Sequence, residues 1–248
     1  MSDELVHYEV ADGVGTITLD SPRNRNALSR QLVGELMDHL GTSAADDARV
    51  VVLRSADRVF CSGADLSEAS ADGMADGARA MVAMQRAIVA HPKPVVTRLA
   101  GPVRAGGLGL VAASDVVVCA EDVTFAFTES RLALAPAVIS LSVLPRLTSR
   151  AAADTFLSGR TFGAAEAEAM GLVTRAVPGD DLDTAVAAAC ADLLEAAPQG
   201  LAETKALLNA GLLARIDAGT EEMATLSARL FGSDAAREAM HAFLARKR

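Results

Sequence analysis

The chain has 248 residues, 51% apolar and 22% charged, a length and balance that suit one large globular core and exclude a disordered or collagen-like chain. With no Trp, one Tyr and a formal charge of −9, the core has to be aliphatic. Binding by stacking on aromatic platforms and binding to nucleic acid, which needs clustered Lys and Arg, are both excluded.

In chain order, Leu5–Val10 and Val14–Leu19 alternate as a hairpin with Asp12-Gly13 as its turn. Ser29 is a candidate N-cap for a helix through about Leu40, with Leu32, Leu36 and Leu40 at fourfold spacing. Val50–Leu53 is an all-apolar run, as in a strand buried on both faces. A Gly- and Ala-rich loop and a helix over about Ala78–Ala90 follow. Pro94–Leu99 reads as another buried strand, Gly106–Ala113 as the start of a helix and Val116–Cys119 as a fourth buried strand. Helices are predicted over Ser149–Ser158, Ala164–Met170, Asp181–Ala196, Gln199–Leu213, Glu221–Phe231 and Ala235–Ala245, with Val173–Val177 as the one strand among them. Alternation of strand and helix followed by helices alone predicts an α/β core over residues 1–195 and a C-terminal helical region over 196–248. Arg246-Lys247-Arg248 reads as a solvated helix end.

Several functions are set aside by what the chain lacks. Cys61, Cys119 and Cys190 are odd in number and far apart, which fits neither disulfides nor zinc and reads as buried thiols of a reducing compartment. His7, His39, His91 and His241 show no metal spacing. The N-terminal MSDELVHYEV has neither the basic nor the apolar region of a secretory signal. Pro94–Ala120, the most apolar stretch, is broken by Arg98, Arg104 and Asp115, so no membrane span is expected. A cytoplasmic protein is the expectation.

Three segments carry candidate chemistry. Phe60-Cys61-Ser62-Gly63-Ala64-Asp65-Leu66 follows a buried strand, and its small residues would let a ligand approach the main chain; from the residues alone an ordinary tight loop is the favoured reading. Gly101-Pro102-Val103-Arg104-Ala105-Gly106-Gly107-Leu108-Gly109-Leu110 joins a strand to a helix start, where free N–H groups favour developing negative charge. Its Gly107-x-Gly109-x-x-Ala112 imitates a dinucleotide fingerprint, but the intervening Gly101, Pro102 and Arg104 separate it from its strand. Phe125-Ala126-Phe127-Thr128-Glu129 places a carboxyl among apolar neighbours, where desolvation raises a pKa into the range of proton transfer; a surface ion pair with Arg131 is the alternative.

In this order and spacing the three segments resemble the crotonase (enoyl-CoA hydratase/isomerase) family. The likeness also takes in Pro22-x-x-x-Asn26-Ala27-Leu28, Gly159-Arg160 and Ala164–Val173. Phe127-Thr128-Glu129-x-Arg131-Leu132 with Pro136-Ala137-x-Ile139-Ser140 is closest to the methylglutaconyl-CoA-type hydratases. The resemblance implies a ClpP/crotonase-like α/β spiral of β-β-α turns and a C-terminal helical trimerisation region. It also implies an acyl-CoA substrate with no further cofactor and no metal, and a homotrimer or dimer of trimers.

The implied catalytic groups are the backbone N–H groups of Ala64 and Gly106, as an oxyanion hole, and the Glu129 carboxylate. Arg25 and Ala27, the loop residues Ser62, Gly63, Asp65 and Leu66, and Gly107 and Gly109 would contact CoA or the acyl group. Asp65 is expected to act as a structural hydrogen-bonder. Typical hydratases of the family carry two Glu, and this chain has Gly109 at the first position. One carboxylate leaves hydration of a 2-enoyl-CoA, with branched and carboxylated (glutaconyl-type) acyl groups in its range, beside two alternatives: double-bond isomerisation and a weakly catalytic acyl-CoA-binding paralogue. Restoring the acid as Gly109→Glu should raise hydration if the pocket has room.

Overall fold

Residues 4–68 and 74–245 are described by a computed structural model of the chain; Arg246–Arg248, read above as a helix end, lie outside them. Strands β1 (Val6–Ala11) and β2 (Val14–Leu19) pair antiparallel, with Val6 opposite Leu19 and Ala11 opposite Val14. The connecting Asp12 and Gly13 both have left-handed φ, 51° and 79°, the twist a two-residue hairpin turn demands. The sheet then continues in parallel through β3 (Val50–Ser55), β4 (Val95–Leu99), β6 (Val116–Ala120) and β9 (Arg175–Val177), in the order β1-β2-β3-β4-β6-β9. Val50, Val51, Leu53, Val95, Val96 and Leu99 are all buried to 1% exposure or less, which is why these strands read as unbroken apolar runs.

A second sheet is part of the fold that the resemblance implies, although the residue pattern marks none of its strands. It holds β5 (Val103–Arg104), β7 (Thr124–Ala126) and β8 (Phe162–Gly163), with β5 and β7 parallel and β7 and β8 antiparallel. Strands of two or three residues are too short to show a period.

Helix α1 (Arg30–Ala45) starts as the sequence indicates, with Ser29 Oγ accepting from the Leu32 N–H at 3.3 Å. Next come α2 (Met74–Ala90), α3 (Gly107–Ala113), α4 (Ala137–Val143), α5 (Ser149–Ser158), α6 (Ala164–Ala169) and α7 (Leu182–Glu195). The two helices expected at Gln199–Leu213 and Glu221–Phe231 are a single helix, α8 (Pro198–Phe231), followed by α9 (Asp234–Ala245). Gly219 does not stop α8. A Cβ there would collide with the Leu141 side chain at 2.5 Å, so this glycine permits close approach of α4 instead of ending a helix.

Helix α8 lies along α2 and α4 and is held by a buried polar clamp. Lys205 Nζ sits 2.7 Å from Asp115 Oδ2 and donates to the Ile88 and Lys93 carbonyls. Asn209 donates to the Val89 carbonyl and to Asp115. A cation and an amide thus cap the last carbonyls of α2, where the helix dipole favours positive charge. Among the described residues no helix is long and apolar enough to cross a membrane.

Candidate active site

The three motif segments lie on neighbouring rungs of one layer. The Phe60 N–H donates to the Pro102 carbonyl at 3.1 Å, and the Arg104 N–H to the Cys61 carbonyl at 3.0 Å, with Cys61 bridging Val103. On its other side the second segment pairs with the third, Val103 with Phe125 and Arg104 with Ala126, and the Ala105 N–H donates to the Ala126 carbonyl at 3.0 Å. Phe125 and Phe162 stack behind this layer at 5.6 Å between ring centroids. Main-chain pairing therefore brings together residues about 40 and 20 positions apart, and the ends of the rungs carry Ala64, Gly106 and Glu129.

The N-terminal turn is clamped to the first segment. The Leu28 N–H donates to the Gly63 carbonyl at 2.8 Å and the Ser62 N–H to the Arg25 carbonyl at 3.1 Å, while Ser62 Oγ donates to the Asn24 carbonyl. Arg25 and Asn26 are both left-handed, at φ 58° and 53°. Asn26 is fully buried; its Oδ1 accepts from the Ser21 N–H at 2.6 Å and its Nδ2 donates to the Val59 carbonyl, which offsets the backbone strain. Ala27 is buried and the Arg25 side chain exposed. Asp65 accepts from Asn24 Nδ2 and from the N–H and hydroxyl of Ser67, contacts that hold its carboxyl below the usual range against the opposing effect of burial. Leu66 opens a short 3-10 turn, Leu66–Glu68.

Gly63 has φ +98°, and its neighbour Ala64 faces the second segment: a Cβ built on Gly106 would lie 3.6 Å from the Ala64 nitrogen. Neither the Ala64 nor the Gly106 N–H donates to a partner among the described residues. Gly106 caps α3, and Ala105 before it is left-handed at φ 46°. Gly107 lets the first turn of α3 approach Cys61, whose Cβ a side chain would meet at 2.7 Å. Cys61 is buried and its thiol is pushed up to about 12 by desolvation, so it packs and stays protonated. Cys119 and Cys190 are buried and unbridged as well.

Glu129 begins a 3-10 turn, Glu129–Leu132, directly after β7. Its Oε2 is buried with no hydrogen-bond partner, and burial raises its pKa from 4.5 to about 7. The ion pair to Arg131 does not form; Arg131 Nε donates to the Ser158 carbonyl at 2.9 Å. That bond and the close approach of Gly159 to Phe127 O and Ser130 Oγ, where a Cβ would lie 3.1 Å from each, seat the turn on the end of α5. From the opposite side Leu132 and Leu134 pack on Ala236 of α9.

Gly109 is a correction to the idea of spare room. A Cβ there would meet Gln85 Cδ and Ile139 Cγ2, each at 2.9 Å, so restoring a Glu overpacks the site. Sequence reasoning missed Gln85. The available signal was a polar residue in the apolar stripe Met81, Val82, Ile88 and Val89 of α2. It also missed the Arg131–Ser158 contact, which no motif marks. No group of three His, Cys, Asp or Glu side chains placed to hold a metal ion occurs among the described residues.

Proteins similar in sequence and backbone place the chain among known families. Residues 9–248 match the family model described as Enoyl-CoA hydratase/isomerase. A Rhodobacter capsulatus protein named "Probable enoyl-CoA hydratase" is 33% identical across the whole chain and 97% of its own length. The crystal structure of an enoyl-CoA hydratase from Mycobacterium avium superposes with a TM-score of 0.93 at 46% identity, covering 99% of this chain and 98% of that one. A methylmalonyl-CoA decarboxylase, 24% identical with a TM-score of 0.84, shares the fold alone. Matches of this length in sequence and in backbone place the protein: the chain belongs to the enoyl-CoA hydratase/isomerase family of enzymes and has the crotonase fold.

Proposed function

We propose that the protein hydrates a 2-enoyl-CoA thioester, with Glu129 as its one proton-transfer group and with no cofactor beyond the thioester itself. The observation that carries the reading is the buried Glu129 carboxyl with an unpartnered oxygen and a pKa near 7, matched to a base working at neutral pH. As water adds to Cβ, its proton passes to Glu129, the C=C electron pair moves toward the carbonyl, and negative charge collects on the thioester oxygen. The Ala64 and Gly106 N–H groups are the donors for that oxygen, each contributing roughly 2.7–4 kcal/mol to the transition state. Protonation at Cα, from Glu129, completes the addition. We assign CoA contact to the clamped turn at Arg25–Ala27 and the Ser62–Leu66 loop, on the strength of their hydrogen-bonded pairing beside Ala64. A branched or glutaconyl-type acyl group is the proposed substrate class, on the resemblance of Phe127–Leu132 and Pro136–Ser140.

A second reading, movement of the double bond by proton transfer between Cγ and Cα, is favoured by one observation. Gly109 supplies no second carboxylate and is walled by Gln85 and Ile139. Assaying crotonyl-CoA hydration beside 3-enoyl-CoA isomerisation decides between them; turnover of neither removes both readings and leaves acyl-CoA binding. We also propose a homotrimer or dimer of trimers, supported by Leu157, Leu207 and Leu208, each more than three-quarters exposed in the single chain, since such residues favour burial between copies. A monomeric mass by light scattering at micromolar concentration overturns this.

A further inference from the structure

Gln85 sits on α2 with 1% of its surface exposed, and both ends of its carboxamide are held. Nε2 donates to the Met81 carbonyl at 3.0 Å and the Val138 carbonyl at 3.4 Å, while Oε1 accepts from Ser142 Oγ at 2.6 Å. Ser142 is itself fully buried. Swinging the amide aside would strand both amide protons among apolar groups and leave the Ser142 hydroxyl only its longer bond to the Ile139 carbonyl at 3.3 Å, so the side chain does not yield as a free flexible end would. Against it lies Gly109, where a Cβ would be 2.9 Å from Gln85 Cδ, 3.1 Å from Oε1 and 2.9 Å from Ile139 Cγ2 on α4. Gly109 lies three residues, about 4.5 Å along the axis, beyond Gly106, whose nitrogen would be 3.5 Å from a Cβ built on Gly63.

Resting on the acyl-thioester reading above, we propose that Gln85 is a specificity-determining residue: its carboxamide, with the Ile139 side chain opposite, fills the volume in which a carboxylate-bearing side chain at 109 would begin. Gln85 and Gly109 are thus a compensating pair that limits the pocket to one proton-transfer group. A neutral amide does not accept a proton from water at ordinary pH, and both protons of this one are already committed. The pair therefore biases the enzyme toward steps that Glu129 performs alone.

The test is a double-mutant cycle followed by a chemical one. Thermal melts of Gly109→Ala, Gln85→Ala and the double variant should show each single change lowering Tm by roughly 2–10 °C. The double variant should lose several degrees less than the sum, because neighbouring sites couple. Gly109→Glu is then placed in a background carrying Gln85→Ala and Ile139→Ala, which clears both walls of Gly109, and crotonyl-CoA hydration is measured against 3-enoyl-CoA isomerisation. The ratio is expected to rise at least tenfold over wild type. Additive melts, or a folded variant with an unchanged ratio, overturn the proposal. Wild type that turns over neither thioester removes the proposed function instead, and the melts then decide the Gln85–Gly109 pairing by themselves; they also decide it if the glutamate variant fails to fold.

Discussion

Replacing Glu129 by Gln separates chemistry from stability, because the structure gives the two effects opposite signs. The unfolded carboxyl ionises near 4.5, whereas the buried one holds its proton to about 7. Below pH 4.5 both states carry the proton and ionisation of Glu129 costs nothing. Between the two values only the unfolded state ionises, so stability falls as pH rises, and above 7 the loss levels off at about 3 kcal/mol. Glutamine keeps the shape without the charge. In thermal melts Glu129→Gln should match wild type near pH 4.5 and exceed it by roughly 6–12 °C at pH 8. Its turnover of enoyl-CoA should meanwhile fall by a factor of about 10²–10⁴, and wild-type turnover should climb through pH 7 as the base ionises. A pH-independent gap between the two melts would refute the raised pKa. A loss of turnover smaller than about tenfold would show that another group moves the proton.

Gly63→Ala forces a side chain onto φ +98° and within 2.9 Å of Ala105 Cβ. It should misalign the neighbouring Ala64 N–H and cut kcat by about 10²–10³, read by steady-state kinetics beside circular dichroism; unchanged kcat in a folded variant removes Ala64 as a donor. Lys205→Met leaves Asp115 without its cation inside the clamp on α2 and should cost about 3–5 kcal/mol by urea denaturation. It should leave the midpoint of the wild-type pH–activity profile in place, since none of the clamp's hydrogen bonds runs to the Glu129 turn.

The sequence carried the motif segments well because main-chain pairing leaves a compositional trace. Strands β5 and β7 each precede a run of small residues or a lone carboxyl, and small residues are what donor loops need. It carried the buried parallel strands for the same kind of reason, since Val50–Leu53 and Pro94–Leu99 have no polar face to alternate. What stayed illegible was set by contacts distant in the chain. Gly219 looks like a stop until Leu141 is seen against it. Gly109 looks like spare room until Gln85, 24 positions earlier, is found hydrogen-bonded to Ser142 beside it. Asn26 was visible only as part of a turn, although its side chain ties that turn to Val59.

The N–H groups at 64 and 106 belong to the peptide chain, and this makes mutational drift in the pocket lopsided. No side-chain replacement short of proline deletes either hydrogen, whereas a single nucleotide change converts Glu129 to something inert. If these groups hold the thioester oxygen as proposed, lineages descending from such a scaffold keep their affinity for a developing anion while gaining or shedding acids and bases around it. On the proposed mechanism, conversion from one acyl-thioester reaction to another requires only that the new acid find space, and at Gly109 that space is bounded by Gln85 of α2 and Ile139 of α4.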